Sequence, residues 1–321
     1  MLNDKTIFLT GGAGFIGATL TGRLHAANRI VIFDNFSRDS LSGRPWATHP
    51  NVRVIKGDVT NADDVSRAMS EAQPDVVVHL AAIAGIDTVV KSPTTTMRVN
   101  LVGTVNTLDA ARRLPKLARF VDFSTSEVFG SYAFRAEETQ ITSVGAVGEA
   151  RWIYAVSKLA GEHLVHAYHR EFNMPTVTLR PFNVYGPGQV GEGAIHRFVV
   201  NALQDRDIEI HGDGTQIRAW CYVDDMVEGI LRAMEHPNAV GHSFNIGNAR
   251  AVVTIYGLAN TIVRVLGSKS QIRFIRKDYA DVELRVPNVE KARELIGFEA
   301  AVDLEEGIRR TGEYYRSASL A

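Results

Sequence analysis

The chain reads as an α/β protein, a doubly wound parallel sheet with a smaller C-terminal lobe. Three observations predict this. A β-branched and aromatic run at residues 5–10 meets glycines at Gly11, Gly14 and Gly17, and apolar residues at helical spacing follow. Strand-like and helix-like runs then alternate through the first half. A loop at 180–188, RPFNVYGPG, holds two prolines and two glycines and breaks that alternation. Strands alternating with helices mean βαβ units, right-handed crossovers and a ligand at the C-terminal ends of the strands.

The opening segment, KTIFLTGGAGFIG, has the spacing G-x-x-G-x-x-G, one residue looser at the front than the usual dinucleotide fingerprint. Its physics is the same. Glycine lets the backbone turn sharply, lets a pyrophosphate approach the main chain, and lets the helix pack close to the strand. The helix N-terminus then offers unpaired N–H groups to the phosphates. Asp34 closes a second apolar run, IVIFD, at about 20 residues on, where an acid should meet ribose hydroxyls. A glycine triplet alone also fits an ordinary strand–turn–helix. Strand, glycines, helix, second strand and terminal acid in that order point to a Rossmann-type dinucleotide site.

Further strands are expected at 52–56, 75–80, 119–124 and 176–180, with helices at 15–26, 62–72, 94–113 and 154–172. Within 94–113, Met97, Leu101, Val105 and Leu108 recur at helical spacing. Met174-Pro175 ends the long helix, because the residue before proline leaves the helical region. Residues 1–181 are read as the dinucleotide-binding domain, to which 224–248 return as a helix and a strand. Residues 182–223 and 249–321 are read as the lobe that binds substrate.

Composition narrows the function. With 321 residues, 45% of them hydrophobic, the chain can bury a sizeable core. A formal net charge of −1 gives no basic field for nucleic acid. The single cysteine, Cys221, leaves no intramolecular disulfide and no multi-cysteine metal site, and no metal is expected. In its run AWCYV it reads as a small core residue rather than a nucleophile. No segment has the ~20 apolar residues of a membrane span, and a core strand starts almost at once, so a cytoplasmic location is expected.

Four segments fall where strand ends could bring them together: HLAAIAG at 79–85, FSTSEVFG at 123–130, YAVSK at 154–158 and RPFNVYGPG at 180–188. Tyr154 and Lys158, four apart, share one helix face. An ammonium beside a phenol favours the phenolate and should lower the tyrosine below its usual pKa of about 10. Such a tyrosine can take a proton from a substrate hydroxyl while hydride leaves the same carbon. A surface pair on an amphipathic helix would show the same spacing. The dinucleotide site and the upstream hydroxyl cluster favour catalysis.

Taken in order, TGGAGFIG, Asp34-Asn35, GDV, HLAA, STSEVFG, YAVSK, RPFNVYGPG and GDGTQIRAWCYVDD resemble the extended short-chain dehydrogenase/reductase family of nucleotide-sugar epimerases, dehydratases and decarboxylases. The resemblance runs to about Arg310. It implies NAD as cofactor, a nucleotide sugar as substrate with a UDP-sugar expected, and roles at matching positions. Gly11, Gly14, Phe15 and Ile16 would hold the pyrophosphate. Asp34, Asn35, Ser37 and Arg38 would surround the adenosine ribose, and Asp58 and Val59 would meet adenine. Leu80, Ala81, Ala82 and Asn100 would line the cofactor path, with Tyr154 and Lys158 also against the cofactor. Pro181 and Val184 would meet the nicotinamide. Ala84, Glu127, Asn183, Arg218 and Arg285 would touch substrate, the two arginines gripping a diphosphate. Asp34 would repel a 2′-phosphate and so favours NAD over NADP. Relatives pair the helices at 94–113 and 153–172 across a two-fold axis, so a homodimer is expected.

The reaction turns on Ser124, Thr125, Ser126 and Glu127. In this family the 4,6-dehydratases carry Thr-Asp-Glu, and Ser126 here stands in place of the aspartate. The 4-epimerases usually lack the carboxylate, whereas the glucuronate decarboxylases share Ser-Glu. The catalytic set is therefore Thr125, Ser126, Glu127, Tyr154 and Lys158. Once C4 is a ketone the C5 proton is acidic, and Glu127 could take it. Loss of the 6-hydroxyl and return of hydride to C4 would give a 5,6-unsaturated sugar. Epimerisation and decarboxylation stay open. So does dinucleotide binding without turnover, although a sensor would be expected to lose Tyr154 or Lys158, and both are present.

Overall fold

The structure is a computed structural model and describes residues 2–276 and 282–318. The lobe expectation for 249–321 therefore extends in part, at 277–281 and 319–321, outside the described residues.

Seven parallel strands form the main sheet: β1 (Thr6–Thr10), β2 (Arg29–Asp34), β3 (Val52–Lys56), β4 (Val76–His79), β5 (Arg119–Phe123), β6 (Thr176–Pro181) and β7 (Ser243–Ile246). Their spatial order is β7-β6-β5-β4-β1-β2-β3. The chain builds outward from β1 to β3, then returns to the other side of β1 and builds outward to β7. The switch point lies between β1 and β4, where an open α/β sheet leaves its ligand crevice.

Both faces are covered, as the near-continuous apolar strands require. On one face Ile7, Leu9, Val121, Leu179 and Phe244 pack with Leu20 and with Met226, Val227 and Ile230. These last belong to helices Phe15–Leu24 and Val223–Glu235, which pack on each other. On the other face Phe8, Val77 and Phe120 pack with Val65, Met69, Leu108 and Val165 from helices Ala62–Ala72, Gly103–Arg112 and Ile153–Phe172. Helix Ala62–Ala72 shows why such segments form. Asn61 caps it by accepting from Asp63 N and Asp64 N, and Val65, Ala68, Met69 and Ala72 recur on its buried side. Gln73, at φ +45°, ends it in the left-handed region.

The helix expected at 94–113 is not uniform. It runs Pro93–Met97, widens to a π-helical turn at Arg98–Val102, and resumes at Gly103–Arg112. The wide turn carries Asn100, whose Oδ1 accepts from Ile83 N at 2.7 Å and whose Nδ2 donates to Ile83 O and to Ser157 Oγ. Apolar spacing does not register such a side-chain tie, and π turns cluster at functional places.

A second sheet of four strands runs Val252–Thr254, Ile217–Ala219, Leu284–Pro287, Tyr132–Ala136. Beside it, Tyr185, Phe198, Trp220, Leu258, Ile262 and Ile308 form a separate apolar cluster. Among the described residues, no helix is long and apolar enough to cross a membrane.

Candidate active site

The glycine turn sits at the switch point. Gly11 has φ +68°, and a Cβ there would lie 2.5 Å from Ala81 N, the backbone just beyond β4. A Cβ at Gly17 would lie 2.6 Å from Gly12 Cα, so the first helical turn closes onto the loop only as glycine. Gly14 begins the helix with no side-chain cap, which leaves its first N–H groups facing outward. Phe15 and Ile16 supply those groups. Asp34 is buried at the end of β2. Its Oδ2 accepts from Ala13 N at 2.9 Å and its Oδ1 from Phe36 N at 2.7 Å. The carboxylate thus ties the glycine turn to the second strand. Burial raises its pKa against these N–H donors. Asn35 Oδ1 accepts from Ser37 N. Asp58 Oδ1 accepts from Thr60, and Val59 is buried, its carbonyl held by Asn106 Nδ2. Leu80, Ala81 and Ala82 leave β4 beside Gly11, with Ala81 N at 3.4 Å from Thr10 Oγ1. The bare glycine turn, the uncapped helix start and the acid at the end of β2 fit a dinucleotide.

Arg38 reaches the segment that follows β4. Its Nη2 donates to Thr88 Oγ1 at 3.1 Å and stands 3.6 Å from Glu192. Glu192 also accepts from Asp87 N, Thr88 N and Thr88 Oγ1. It comes from the loop before helix Ala194–Ala202 and fastens that loop to the segment after β4. Sequence reasoning missed it, because an acid in a glycine-rich loop carries no periodic signal.

Tyr154 and Lys158 lie on helix Ile153–Phe172, with Lys158 buried. The phenol is pushed up by burial first and then by the Glu127 charge; a hydrogen bond with Thr125 and the Arg285 charge work against this. The expected lowering by Lys158 is thus reversed in the protein alone. The ammonium is itself lowered by burial and is opposed in that by the carboxylates of Asp122 and Glu162.

Glu127 follows β5 in a short turn, Ser126–Phe129, which Thr125 caps by accepting from Glu127 N at 3.2 Å. Ser126 is buried next to it. Glu127 Oε2 accepts from Arg151 Nη1 at 2.7 Å, and its Oε1 lies 3.5 Å from Arg285 Nη1. Burial raises this carboxyl, but Arg285, Arg151 and Arg218 outweigh burial and hold it below its ordinary value. Arg151 is a second residue the sequence reading missed.

Arg218 and Arg285 are register partners on neighbouring parallel strands, and both are buried. Two guanidinium groups side by side repel, so the place calls for anions. Arg285 also donates to Gly130 O, and Arg218 to Ile217 O and Val282 O. Asn183 has φ +40° and donates from Nδ2 to Ala219 O. Pro181 ends β6, and Val184 pairs with Cys221. Glu127, Arg151, Asn183, Arg218 and Arg285, with Ala84, line one cavity of about 430 Å³. Cys221 is buried and burial raises its thiol, which makes it inert packing.

These features define a dinucleotide-dependent α/β enzyme with a Tyr–Lys helix and a cationic cavity. The chain belongs to the NAD dependent epimerase/dehydratase family, whose pattern matches residues 7–247. It is 33% identical to UDP-glucuronic acid decarboxylase 6 of Arabidopsis thaliana, over 98% of this chain and 90% of that protein. Its fold matches UDP-glucuronic acid 4-epimerase from Bacillus cereus, solved with UDP-glucuronic acid and NAD, at TM-score 0.89 and 31% identity, covering 98% of this chain and 99% of that one. It also matches the dTDP-glucose 4,6-dehydratase of Bacillus anthracis in complex with NAD, at TM-score 0.86 and 26% identity, covering 98% of each chain. The protein is therefore an NAD-dependent enzyme of the nucleotide-sugar epimerase, dehydratase and decarboxylase kind.

Proposed function

We propose that the chain is a nucleotide-sugar 5,6-dehydratase acting on UDP-N-acetylglucosamine. The carrying observation is Glu127, a half-buried carboxylate lining the cavity, close enough to Tyr154 to raise its phenol, with Ser126 and not a second acid beside it. The whole chain also resembles the UDP-N-acetylglucosamine 5,6-dehydratase of tunicamycin biosynthesis, a nucleoside-antibiotic pathway.

In this reading the register-paired Arg218 and Arg285 take the diphosphate, with Asn183 at its side, and the lobe that carries the two arginines is the sugar-nucleotide lobe. Tyr154 takes the proton of the C4 hydroxyl, and Lys158 holds the nicotinamide ribose. NAD, which the glycine turn at Gly11 and Gly14 with Phe15 and Ile16 would hold, would supply a reversible hydride acceptor for C4, so no net redox change would result. Glu127 removes the C5 proton that the C4 ketone has acidified and carries it to the departing 6-hydroxyl. When hydride is restored to C4, Tyr154 returns its proton to the C4 oxygen; the sugar has then lost one water, and a 5,6-alkene remains. A diphosphate that shares Arg218 and Arg285 weakens their hold on Glu127 and raises its basicity when substrate is present.

A second reading is decarboxylation of a nucleotide glucuronate. The 33% identity to a UDP-glucuronic acid decarboxylase favours it, as does the pairing of Glu127 with Arg151 and Arg285 at a place where a uronate carboxylate could compete. Purified protein should be mixed separately with UDP-N-acetylglucosamine and UDP-glucuronate and the products weighed. Loss of one water from the first sugar supports 5,6-dehydration. Loss of carbon dioxide from the second, with the first untouched, replaces that reading. Unchanged mass with inverted C4 makes the enzyme an epimerase.

A further inference from the structure

The dinucleotide crevice has two banks. In the strand order β4-β1-β2 the glycine turn leaves the middle strand, with the segment after β4 on one side of it and the segment after β2 on the other. A dinucleotide laid over the turn runs between those two segments. Residues 186–193, GPGQVGEG, form a strap that is fastened to both.

On the β2 side the strap is held by its carbonyls. Ser40 N donates to Ala13 O of the glycine turn at 2.8 Å, and Ser40 Oγ donates to Gly188 O at 2.8 Å. Arg44 Nη2 donates to Pro187 O at 3.0 Å. Tyr315, on the helix Leu304–Ala318, donates from its hydroxyl to Gln189 O at 2.5 Å. Three successive carbonyls are thus committed, and two of them bind the bank that carries Ser40 and Arg44.

On the β4 side, among the described residues, every hydrogen bond from the strap ends on one side chain, Glu192. Its Oε2 accepts from Asp87 N at 2.9 Å, and its Oε1 accepts from Thr88 N at 3.2 Å and from Thr88 Oγ1 at 2.5 Å. Gly85 makes room for this carboxylate: it has φ +103°, and a Cβ there would lie 2.7 Å from Glu192 Oε2. Arg38 starts on the β2 bank and reaches the same place, donating to Thr88 Oγ1 at 3.1 Å with its Nη2 3.6 Å from Glu192 Oε1. Arg38 and Glu192 therefore close the crevice from bank to bank. Val190 and Gly191, both exposed, separate the carbonyl end from the carboxylate end.

The two ends differ in how they can let go. The carbonyl end is tied at three points by three different residues. The other end is a half-buried carboxylate, and one side-chain rotation releases all of its bonds together. Epimerisation, 5,6-dehydration and decarboxylation by way of a C4 ketone each leave the dinucleotide as it began. Turnover therefore never requires it to depart, and a closure across the crevice is compatible with all three.

We propose that Glu192 is a positioning residue that clasps the strap over the dinucleotide, so that NAD stays in the protein through successive turnovers and leaves only when the carboxylate releases Asp87 and Thr88. The inference rests on the dinucleotide site alone and holds whichever sugar reaction the enzyme performs. The strap also lines the Glu127 cavity through Gln189, Val190, Glu192 and Gly193. A gate for the nucleotide sugar is therefore the competing role, and the test has to separate the two.

The full chain is loaded with NADH and mixed with a large excess of NAD, and the fluorescence of the bound nicotinamide is followed as it is lost. Glu192→Gln keeps the length of the side chain but gives up the charge that strengthens its hydrogen bonds. NADH should leave at least about tenfold faster, the size of effect expected for losing one charge-assisted hydrogen bond. A purely structural tie would lower the melting temperature and leave the release rate unchanged, and that result overturns the proposal. A second protein, Thr88→Cys with Glu192→Cys, is loaded with NADH and then joined by a short bis-maleimide; Cys221 is buried and does not compete. Unjoined, it should release NADH faster than wild type; joined, it should release NADH more slowly than wild type. Equal rates before and after joining would mean that the dinucleotide does not leave beneath the strap, which overturns the clasp. UDP release is measured on the same preparations. A change confined to UDP makes the strap a sugar gate and overturns the clasp as well.

Discussion

The glycine turn and the Glu127 cavity both lie beyond the C-terminal ends of strands in one sheet, yet different physics builds them. The turn is a main-chain object. Its parts are Gly11 against the Ala81 backbone, Gly17 against Gly12, and the Asp34 carboxylate on two backbone N–H groups. The cavity is a charge object. Glu127, Arg151, Arg218 and Arg285 reach it from four separated segments, and the three arginines hold the carboxylate ionised. Backbone geometry can tolerate almost no change of residue and depends on pH only through the Asp34 carboxylate. A charge cluster tolerates changes of shape but responds to pH and to every anion that enters.

That contrast breaks most sharply at Tyr154 and Glu127. Tyr154→Phe should abolish every step, including reduction of bound NAD, with a loss toward the ~10⁴-fold upper range for general acid–base groups. Glu127→Gln keeps the shape but cannot act as base. Turnover should fall at least ~10²-fold, while the first reduction of NAD survives. Neither variant should show proton exchange at C5 in heavy water; reduction of the cofactor separates the two, since only the glutamine variant should show it. Near-normal turnover in Glu127→Gln would remove the C5 mechanism.

Gly11→Ala attacks the main-chain side. A left-handed alanine costs roughly 1–2 kcal/mol, and its Cβ would also press on the Ala81 backbone. The variant should melt lower than wild type, and added NAD, which stabilises whatever it binds, should no longer raise its melting temperature. An unchanged NAD-dependent shift would mean that the turn does not cradle the pyrophosphate.

The same contrast explains what the sequence disclosed. The turn is local, so glycine spacing and the terminal acid of IVIFD were enough to expect it, and β1 to β3 fell close to their expected bounds. Ser124 to Glu127 and Tyr154 to Lys158 were legible as candidate chemistry because strand ends and helix faces follow from periodicity. The partners were not. Arg151 meets Glu127, and Glu192 meets Arg38, through folding of segments far apart in the chain, and a single charged residue in a loop looks the same whether buried or solvated. The Tyr154 phenol failed for a related reason. Spacing gave the lysine neighbour, but burial and the Glu127 charge, which raise the phenol, depend on the completed fold.

Acid sharpens the comparison from the charge side. Glu127 is held below its ordinary value of 4.5 by the arginines, so folding favours its ionised form. Its stabilising contribution is therefore full above that ordinary value and is lost as pH falls through the lower folded value. Glu127→Gln leaves Arg151 and Arg285 without that carboxylate and should melt lower than wild type at neutral pH. The two melting temperatures should converge as the solution is acidified. Parallel curves would show that the carboxylate does not bear on stability.

The smallest expected effect, and the most specific, is at Ser126. It is buried next to Glu127 in the turn that Thr125 caps, at the position where the family's 4,6-dehydratases carry an aspartate. In those enzymes the aspartate helps the 6-hydroxyl leave while the glutamate takes the C5 proton. If Glu127 alone does both here, hydride returns to C4. Ser126→Asp adds a second acid beside Glu127, frees Glu127 from delivering the proton, and lets hydride compete for C6. A minor share of 4-keto-6-deoxy sugar should then appear beside the 5,6-alkene. A second carboxylate near Arg285 and Arg151 should also compete with Glu127 for them, so the variant should turn over more slowly. Slower turnover with only the original product would mean that the aspartate's place is not what selects C4 over C6, and that the selection lies in how the nicotinamide faces the sugar.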